Sequence, residues 1–407
     1  MAAMTKAFDT TALLSPRAAT ADEGAIIRMS QRTRELRAKG NDVVSLTLGE
    51  PDFDTPQHIR AAATEAMDKG FTHYAPVAGI AELREAISAK LKRENGLAYP
   101  ASGIVLANGV KQAINNAILS VIGPGDEVVI LAPYWVSYEA SVRFAGGTPV
   151  VLSSTVQENY KVPTSRIAAA LTPRSKLLII NSPCNPTGAV WSRAELEEIA
   201  TLVRAHPQLL VLADEIYEYI LFDGDISSFG TLPGMIDRTI TLNGFSKGFA
   251  MTGWRLGYAA APLPVAQAMA RMQSIISAGA NAFVQRAAVV ALNGPRDDVV
   301  KMREAYRKRR DIVLTTLRSM PGVRIADIPA TFYAFPDVSA LLGRKAGNHV
   351  ISTVDEMCDW LLDVHGVATV PGTAFGAPGS LRLSFAASDA DIEKALSRLA
   401  KGFSELR

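Results

Sequence analysis

In the stretch "NGFSKGFAMTGWR" (residues 243–255) a lysine, Lys247, stands among small residues just after an alternating, strand-like "RTITL". An ammonium on such a turn is ordinarily a solvated surface charge. Partly deprotonated, it becomes a nucleophile toward a carbonyl. Other groups in the sequence suit the company of such a nucleophile. Gly109, Val110 and Lys111 open a helix after an apolar run, and a glycine turn at a helix N-terminus offers unpaired N–H groups to a phosphate. Arg255 would add a fixed charge. Asp214 supplies one carboxylate, Tyr217 a phenol three residues on, and Trp135 a flat aromatic face. Each has a plainer reading: Asp214 as the N-cap of a helix beginning at "DEIYE", Trp135 as core, and Asn185 as a brace of the turn "NPTG".

These groups share a regular placement. Short apolar runs recur as "GIVLA" (103–107), "EVVILA" (127–132), "TPVVL" (148–152), "KLLII" (176–180), "LLVLA" (209–213), "TITL" (239–242) and "RLGYAAA" (255–261), most of them separated by helical segments. Continuous apolar strands alternating with helices predict an α/β fold, with a mostly parallel sheet covered by helices on both faces. This large domain is expected over residues 57–300. After it, "DDVVKMREAYRKRRDIVLTTLRSM" reads as one long charged helix. The strand-like "GVRIA", "TFYAFPD", "GVATVPG" and "SLRLSFA" then mix with helices near 352–364 and from about 388. Residues 301–407 are expected to join residues 1–56, with their strand-like "DVVSLTLG", in a smaller α+β domain. In open α/β sheets ligands bind beyond the carboxyl ends of the strands. Five strand ends here carry polar, aromatic or glycine-rich groups.

Bulk composition excludes several classes. Of 407 residues, 48% are hydrophobic and 20% charged, and the net charge of +2 is spread along the chain. No charge run points to nucleic acid. Two cysteines without a Cys-x-x-Cys pair, and five scattered histidines, give neither a disulfide framework nor a metal site. The first thirty residues show no apolar leader core, and no run approaches the roughly 20 apolar residues of a membrane span. A cytoplasmic protein with no membrane partner is the expectation.

A nucleophilic lysine, a phosphate cradle, a lone carboxylate, a phenol and a flat aromatic together match pyridoxal 5′-phosphate, a phosphorylated aldehyde on a ring with a basic nitrogen. Seven ordered motifs, "SLTLGEPDFDTP", "FTHYAPVAGIAELREAI", "LAPYWVSY", "NSPCNPTG", "ADEIYE", "NGFSKGFAMTGWRLGY" and "LRLSFA", resemble the class I pyridoxal-phosphate aminotransferases of fold type I. The resemblance runs from about residue 24 to the end, and the spacing of "FSK", "MTGWR" and "NPTG" is most similar to the bacterial aspartate/aromatic branch.

The resemblance implies a role for each matched position. Lys247 would be the Schiff-base lysine and would shuttle the proton between the substrate Cα and the cofactor C4′. Asp214 would pair with the pyridinium nitrogen. Tyr217 and Asn185 would bond the phenolic oxygen, and Trp135 would stack on the ring. Gly109, Val110, Lys111 and Arg255 would cradle the phosphate. Tyr74, in "THYAP", would reach the phosphate of a neighbouring subunit, making the enzyme a homodimer with shared active sites. Arg382 would clamp the substrate α-carboxylate, with the backbone of Gly49, and Trp135 and Asn185 would border the substrate.

The sequence also departs from the family. Gly244 stands where many relatives have a phosphate-binding serine, and Ala330 where a glycine is common. No arginine lies in "QSIISAGANAFVQ" (273–285) to match the side-chain carboxylate clamp of classical aspartate enzymes, and "ADEGAI" lacks the Lys-Pro-Ser-Ala-Thr pattern of some aspartate- and prephenate-using relatives. Aspartate or an aromatic amino acid is the expected donor, and a 2-oxo acid such as 2-oxoglutarate the acceptor. Two other readings stay open: a β-eliminating carbon–sulfur lyase on the same fold, and a non-enzymatic regulator with an aminotransferase-like domain. The latter would carry a DNA-binding domain, and the residues before the fold show no helix-turn-helix pattern.

Overall fold

All seven apolar runs form strands of one sheet: β1 (Ile104–Ala107), β2 (Glu127–Ala132), β3 (Thr148–Ser153), β4 (Ser175–Asn181), β5 (Leu210–Asp214), β6 (Thr239–Gly244) and β7 (Gly257–Ala260). The computed structural model describes residues 10–15, 18 and 24–407. The reading of a leader-free start therefore falls largely outside the described residues. The strand order is β1-β7-β6-β5-β4-β2-β3. Strands β2 to β6 pair in parallel, while β7 runs antiparallel to both β6 and β1.

Alternation along each strand explains why the runs are continuously apolar. Val128, Ile130, Leu177, Ile179 and Leu212 enter one core, while Val129, Leu178, Ile180, Val211 and Ala213 enter a second. Each of these valine, leucine and isoleucine side chains contributes about 1.5–3 kcal/mol by leaving water. Only the edge strand β3 is half open to solvent, and it carries Pro149, tolerated where no ladder partner needs its missing N–H.

The register sets the site. Asn181 at the end of β4 lies beside Asp214 at the end of β5, and Asp214 lies beside Leu242 of β6. The polar strand ends therefore form a level rim. Helix α1 (Val110–Val121) leaves that rim after β1.

Helices form where the spacing places them, including α2 (Asp297–Ser319) and those at Val354–His365 and Asp389–Glu405. The helix expected through "IAELREAISAKLKREN" changes at Lys90: it is α-helical over Ala81–Lys90 and finishes in a wider π-helical turn, Leu91–Asn95. The small strands shrink. "DVVSLTLG" keeps only Val44–Ser45, paired in parallel with Val367–Ala368. "TFYAFPD" keeps Tyr333–Ala334 against Leu381–Ser384. "GVRIA" is not a strand; it makes a single bridge, Arg324 to Asp337, reinforced by their ion pair at 2.9 Å. The chain's two ends thus share secondary structure. Ser384 also donates its N–H to Leu46 at 2.8 Å.

Candidate active site

At the rim, the strand ends and the 47–50 segment enclose a cavity of about 380 Å³. Among its lining residues are Gly49, Val110, Lys111, Trp135, Asn185, Asp214, Tyr217, Lys247, Arg255 and Arg382. Eleven of the twelve positions singled out in the sequence meet at this one place, since Gly109 lies directly beneath its wall. Tyr74 does not. It is 97% exposed, on a loop away from the cavity of its own chain.

One corner of the cavity is built by absent side chains. Gly109 (φ 82°) caps α1. A Cβ on it would stand 2.6 Å from the Arg255 guanidinium, and one on Gly257 would stand 2.5 Å from the Val110 nitrogen. Gly244 is equally confined, its Cβ position lying 2.9 Å from both the Gly257 Cα and a Val110 methyl. That packing explains why a serine does not occupy position 244. Arg255 takes a left-handed conformation (φ 54°) and bonds Thr252 O at 3.0 Å, which turns its head toward α1. Lys111 lies 5.1 Å from the Trp135 ring centre.

Asp214 is buried and tightly specified. Tyr138 donates to its Oδ2 at 2.6 Å, and the Ile216 N–H to its Oδ1 at 3.2 Å. Burial pushes its pKa up to about 6 in spite of these bonds. Lys247 is shifted the opposite way, to about 8, first by desolvation and then by the Arg382 charge. Its Nζ donates to Gly49 O. Tyr217 OH pairs with Tyr333 OH at 2.9 Å, and burial holds the Tyr217 phenol well above its ordinary range.

Arg382 is 1% exposed. It donates to Asn185 Oδ1 at 3.1 Å and to Thr47 O at 2.6 Å, and stacks 4.6 Å from the Tyr333 ring centre. Its Nε has no partner in the structure, an orphaned donor on a buried cation, which is costly unless an anion is meant to meet it.

The structure adds residues that the sequence reading missed. Tyr138 follows Trp135 by three positions and resembles ordinary helix packing. Tyr333 sits in an aromatic run that reads as core. Asn181, Glu50, Thr252 and Ser246 also line the cavity, and only their place beside strand ends or motif residues marks them. Next to Ala330, the left-handed backbone is taken by Thr331 (φ 70°), a strained choice for a β-branched residue.

The sequence profile of the class I and II aminotransferases matches residues 41–399. The chain belongs to this family. An aspartate/prephenate aminotransferase of Cereibacter sphaeroides is 42% identical over 391 residues, covering 95% of this chain and 98% of the relative. The crystal structure of an aspartate aminotransferase from Rhizobium meliloti superposes with a TM-score of 0.94 at 38% identity, covering 97% of this chain and 99% of that one. An aspartate aminotransferase of Thermus thermophilus with maleate gives 0.90 at 41% identity, over 95% and 99%. The aminotransferase thus has the fold type I α/β architecture that its motifs imply. Among the described residues no helix is long and apolar enough to cross a membrane, and no cluster of His, Cys, Asp and Glu is placed to hold a metal.

Asp214 gives the cofactor-free aminotransferase a measurable pH signature. Its unfolded-state pKa is 3.8 and its folded value about 6. Between these values the native state holds a proton that the unfolded chain has released, so stability falls as pH rises through this window. Asp214→Asn is expected to flatten that slope and to raise stability at pH 7 by roughly 3 kcal/mol. Urea titrations from pH 4 to pH 7, on protein freed of bound cofactor, would measure both; an unchanged slope would contradict the assignment.

Proposed function

We propose that the chain uses pyridoxal 5′-phosphate to move an amino group from an α-amino acid, aspartate or an aromatic one, to a 2-oxo acid such as 2-oxoglutarate. It would act as a cytoplasmic homodimer. The observation that carries this reading is the cavity itself: a lysine with depressed proton affinity, a buried lone carboxylate, a glycine-built anion corner and a buried arginine with a free donor, all within one enclosure.

The residues fit the cofactor. The N–H groups at Gly109–Lys111, with Arg255, would hold its phosphate. Trp135 would cover its ring, Tyr217 and Asn185 would meet its phenolic oxygen, and Asp214 would face its ring nitrogen. When bound, pyridoxal phosphate supplies an aldehyde carbon that captures the amine and a ring that draws electrons from the substrate Cα. Asp214, already held by Tyr138 and Ile216, offers one oriented negative charge to keep the ring nitrogen protonated. Lys247 would take the proton from the substrate Cα, and a pKa near 8 would suit it to give that proton back at neutral pH. Arg382 holds the α-carboxylate in a planar fork, which presents Cα to Lys247. Donor and acceptor use the same groups in turn, so the kinetics would be ping-pong.

In this reading residues 57–300 form the cofactor-binding unit, while residues 1–56 and 301–407 bring Gly49 and Arg382 to it. The exposed Tyr74, with Ile275 at 79% and Ile276 at 51% exposure, supports a second subunit. Ile275 and Ile276 end the helix Leu263–Ile276, and the turn after it adjoins the Tyr74 loop, since a Cβ on Gly279 would stand 3.7 Å from the Val77 Cα. Such an apolar surface suits a self-complementary contact.

The test is the visible spectrum of the purified protein mixed with a panel of amino acids. A lysine–cofactor band that bleaches with one donor and returns with an oxo acid is expected, and the donor that bleaches it names the substrate. A chain that takes up no pyridoxal phosphate would overturn the proposal. Release of ammonia without an oxo acid would replace it with the lyase.

A further inference from the structure

The turn that carries Lys247 is loosely bonded to itself. Phe249 N–H reaches Phe245 O at 3.3 Å, Ala250 N–H reaches Lys247 O at 3.4 Å, and Met251 N–H reaches Ser246 O at 3.2 Å. Ala250 takes a left-handed conformation (φ 51°). The two bonds beyond 3.2 Å are weak; Thr55 Oγ1 holds Ala250 O at 2.6 Å and Gly49 O holds the lysine head, which leaves the backbone beside Lys247 in need of a support of its own.

That support lies behind Gly248. A Cβ on Gly248 would stand 2.9 Å from Tyr219 Cβ and 3.0 Å from Tyr219 Cγ, so the bare backbone next to Lys247 rests directly on the Tyr219 ring. The ring is itself clamped. Its hydroxyl donates to Glu94 at 2.6 Å. The Arg296 guanidinium lies 5.3 Å from its centre and 4.9 Å from that of Phe249, and these two rings meet edge-on at 5.4 Å. Lys90 lies 5.3 Å from the ring centre and pairs with Glu218. The π-helical turn at Leu91–Asn95 is what delivers Glu94 to this place, and Arg296, just before α2, is fixed by the carbonyls of Ala291 and Leu292 at 2.5 and 3.0 Å.

One short segment therefore serves the site from two sides: Asp214 and Tyr217 face the cavity, and Tyr219 faces the back of the lysine turn. We propose that Tyr219 is a positioning residue for Lys247, acting through its contact with Gly248 and held by Glu94 and Arg296. This rests on the reading of Lys247 as the reacting amine. A displacement of about 1 Å at a reacting group costs on the order of 10²-fold in rate, and a turn with weak bonds of its own has that freedom once the ring is removed.

The experiment pairs steady-state kinetics with hydrogen–deuterium exchange across residues 245–252, the exchange being read on protein with and without added pyridoxal phosphate. Tyr219→Ala is expected to speed exchange in this segment by at least about tenfold and to lower kcat by about 10²-fold, with KM within about twofold of the parent. Tyr219→Phe, which keeps the ring and its Arg296 contact but loses the bond to Glu94, recovers most of both. Gly248→Ala strains the same contact from the other side, so its loss and that of Tyr219→Ala combine to less than their product in the double variant. Unchanged exchange and kcat in Tyr219→Ala, or strictly multiplicative losses in the double variant, would overturn the proposal. If Tyr219→Ala fails to fold, Gly248→Ala decides alone: parental exchange and kcat there count against it. The exchange data stand apart from the chemistry, so a parent protein that takes up no cofactor would sink the reading of Lys247 without altering them.

Discussion

Lys247→Ala is expected to lower kcat for transamination by roughly 10⁴-fold, the upper end of what a positioned acid–base group supplies. It should also erase the lysine–cofactor absorption band. The size of the effect follows from the site. Among the described residues only one other lysine lines the cavity, and Lys247 Nζ itself sits 5.9 Å from the ring centres of both Tyr217 and Phe332. Lys111, the next lysine of the cavity, is drawn toward Trp135 instead. Ordinary lysines stay protonated at neutral pH. Desolvation and two neighbouring arginines bring this one to about 8, so a useful fraction is unprotonated where others are not. Single-turnover absorbance measurements would check the prediction. A rate within tenfold of the parent would remove Lys247 from the mechanism.

Arg382→Leu should lower kcat/KM for every α-amino acid by roughly 10²–10⁴-fold, the loss of two charge-assisted hydrogen bonds of about 1.5–3 kcal/mol each. Arg382→Lys should recover little, because a point charge does not replace a planar fork. The guanidinium is confined by Tyr333, Phe375, Asn185 and the Thr47 carbonyl, which leaves a shorter ammonium few ways to adjust. Amines lacking an α-carboxylate provide the control: their slow reaction should be no worse in the variant. An unchanged kcat/KM for α-amino acids would sink the clamp.

The sheet was legible because burial on both faces demands continuous apolar runs, and all seven runs became strands. Their order was less accessible. Nothing in "RLGYAAA" announces that β7 runs against its neighbours, and its start slips from Arg255 to Gly257 because Arg255 occupies a left-handed turn. Of the cavity lining, the residues with distinctive chemistry were readable as neighbours: Lys247, Asp214, Tyr217 and Arg382. Their supports were not. Tyr138 reaches Asp214 only through its hydroxyl, and Tyr333 meets Tyr217 through its hydroxyl and Arg382 through its ring, so sequence shows an aromatic residue and hides its partners. Tyr219 is harder still. It acts on a glycine, and a glycine advertises only that something stands close by. The small strands were overextended for a simpler reason: where only two residues pair, the remaining apolar residues are explained by helix packing.

The parallel pairing of Val44–Ser45 with Val367–Ala368 bears on how the molecule is made. The anion corner draws on a contiguous stretch, from Gly109 to Gly257, whereas the Arg382 clamp needs the Thr47 carbonyl from near the start and the strand around Leu383 from near the end. Contacts between segments so distant in sequence form slowly compared with local ones. On a growing chain the seven-stranded sheet has all its strands long before Arg382 and its Thr47 partner can meet. In the proposed reading, selectivity for α-amino acids is therefore the last property the growing chain acquires, once the strand around Leu383 has been made.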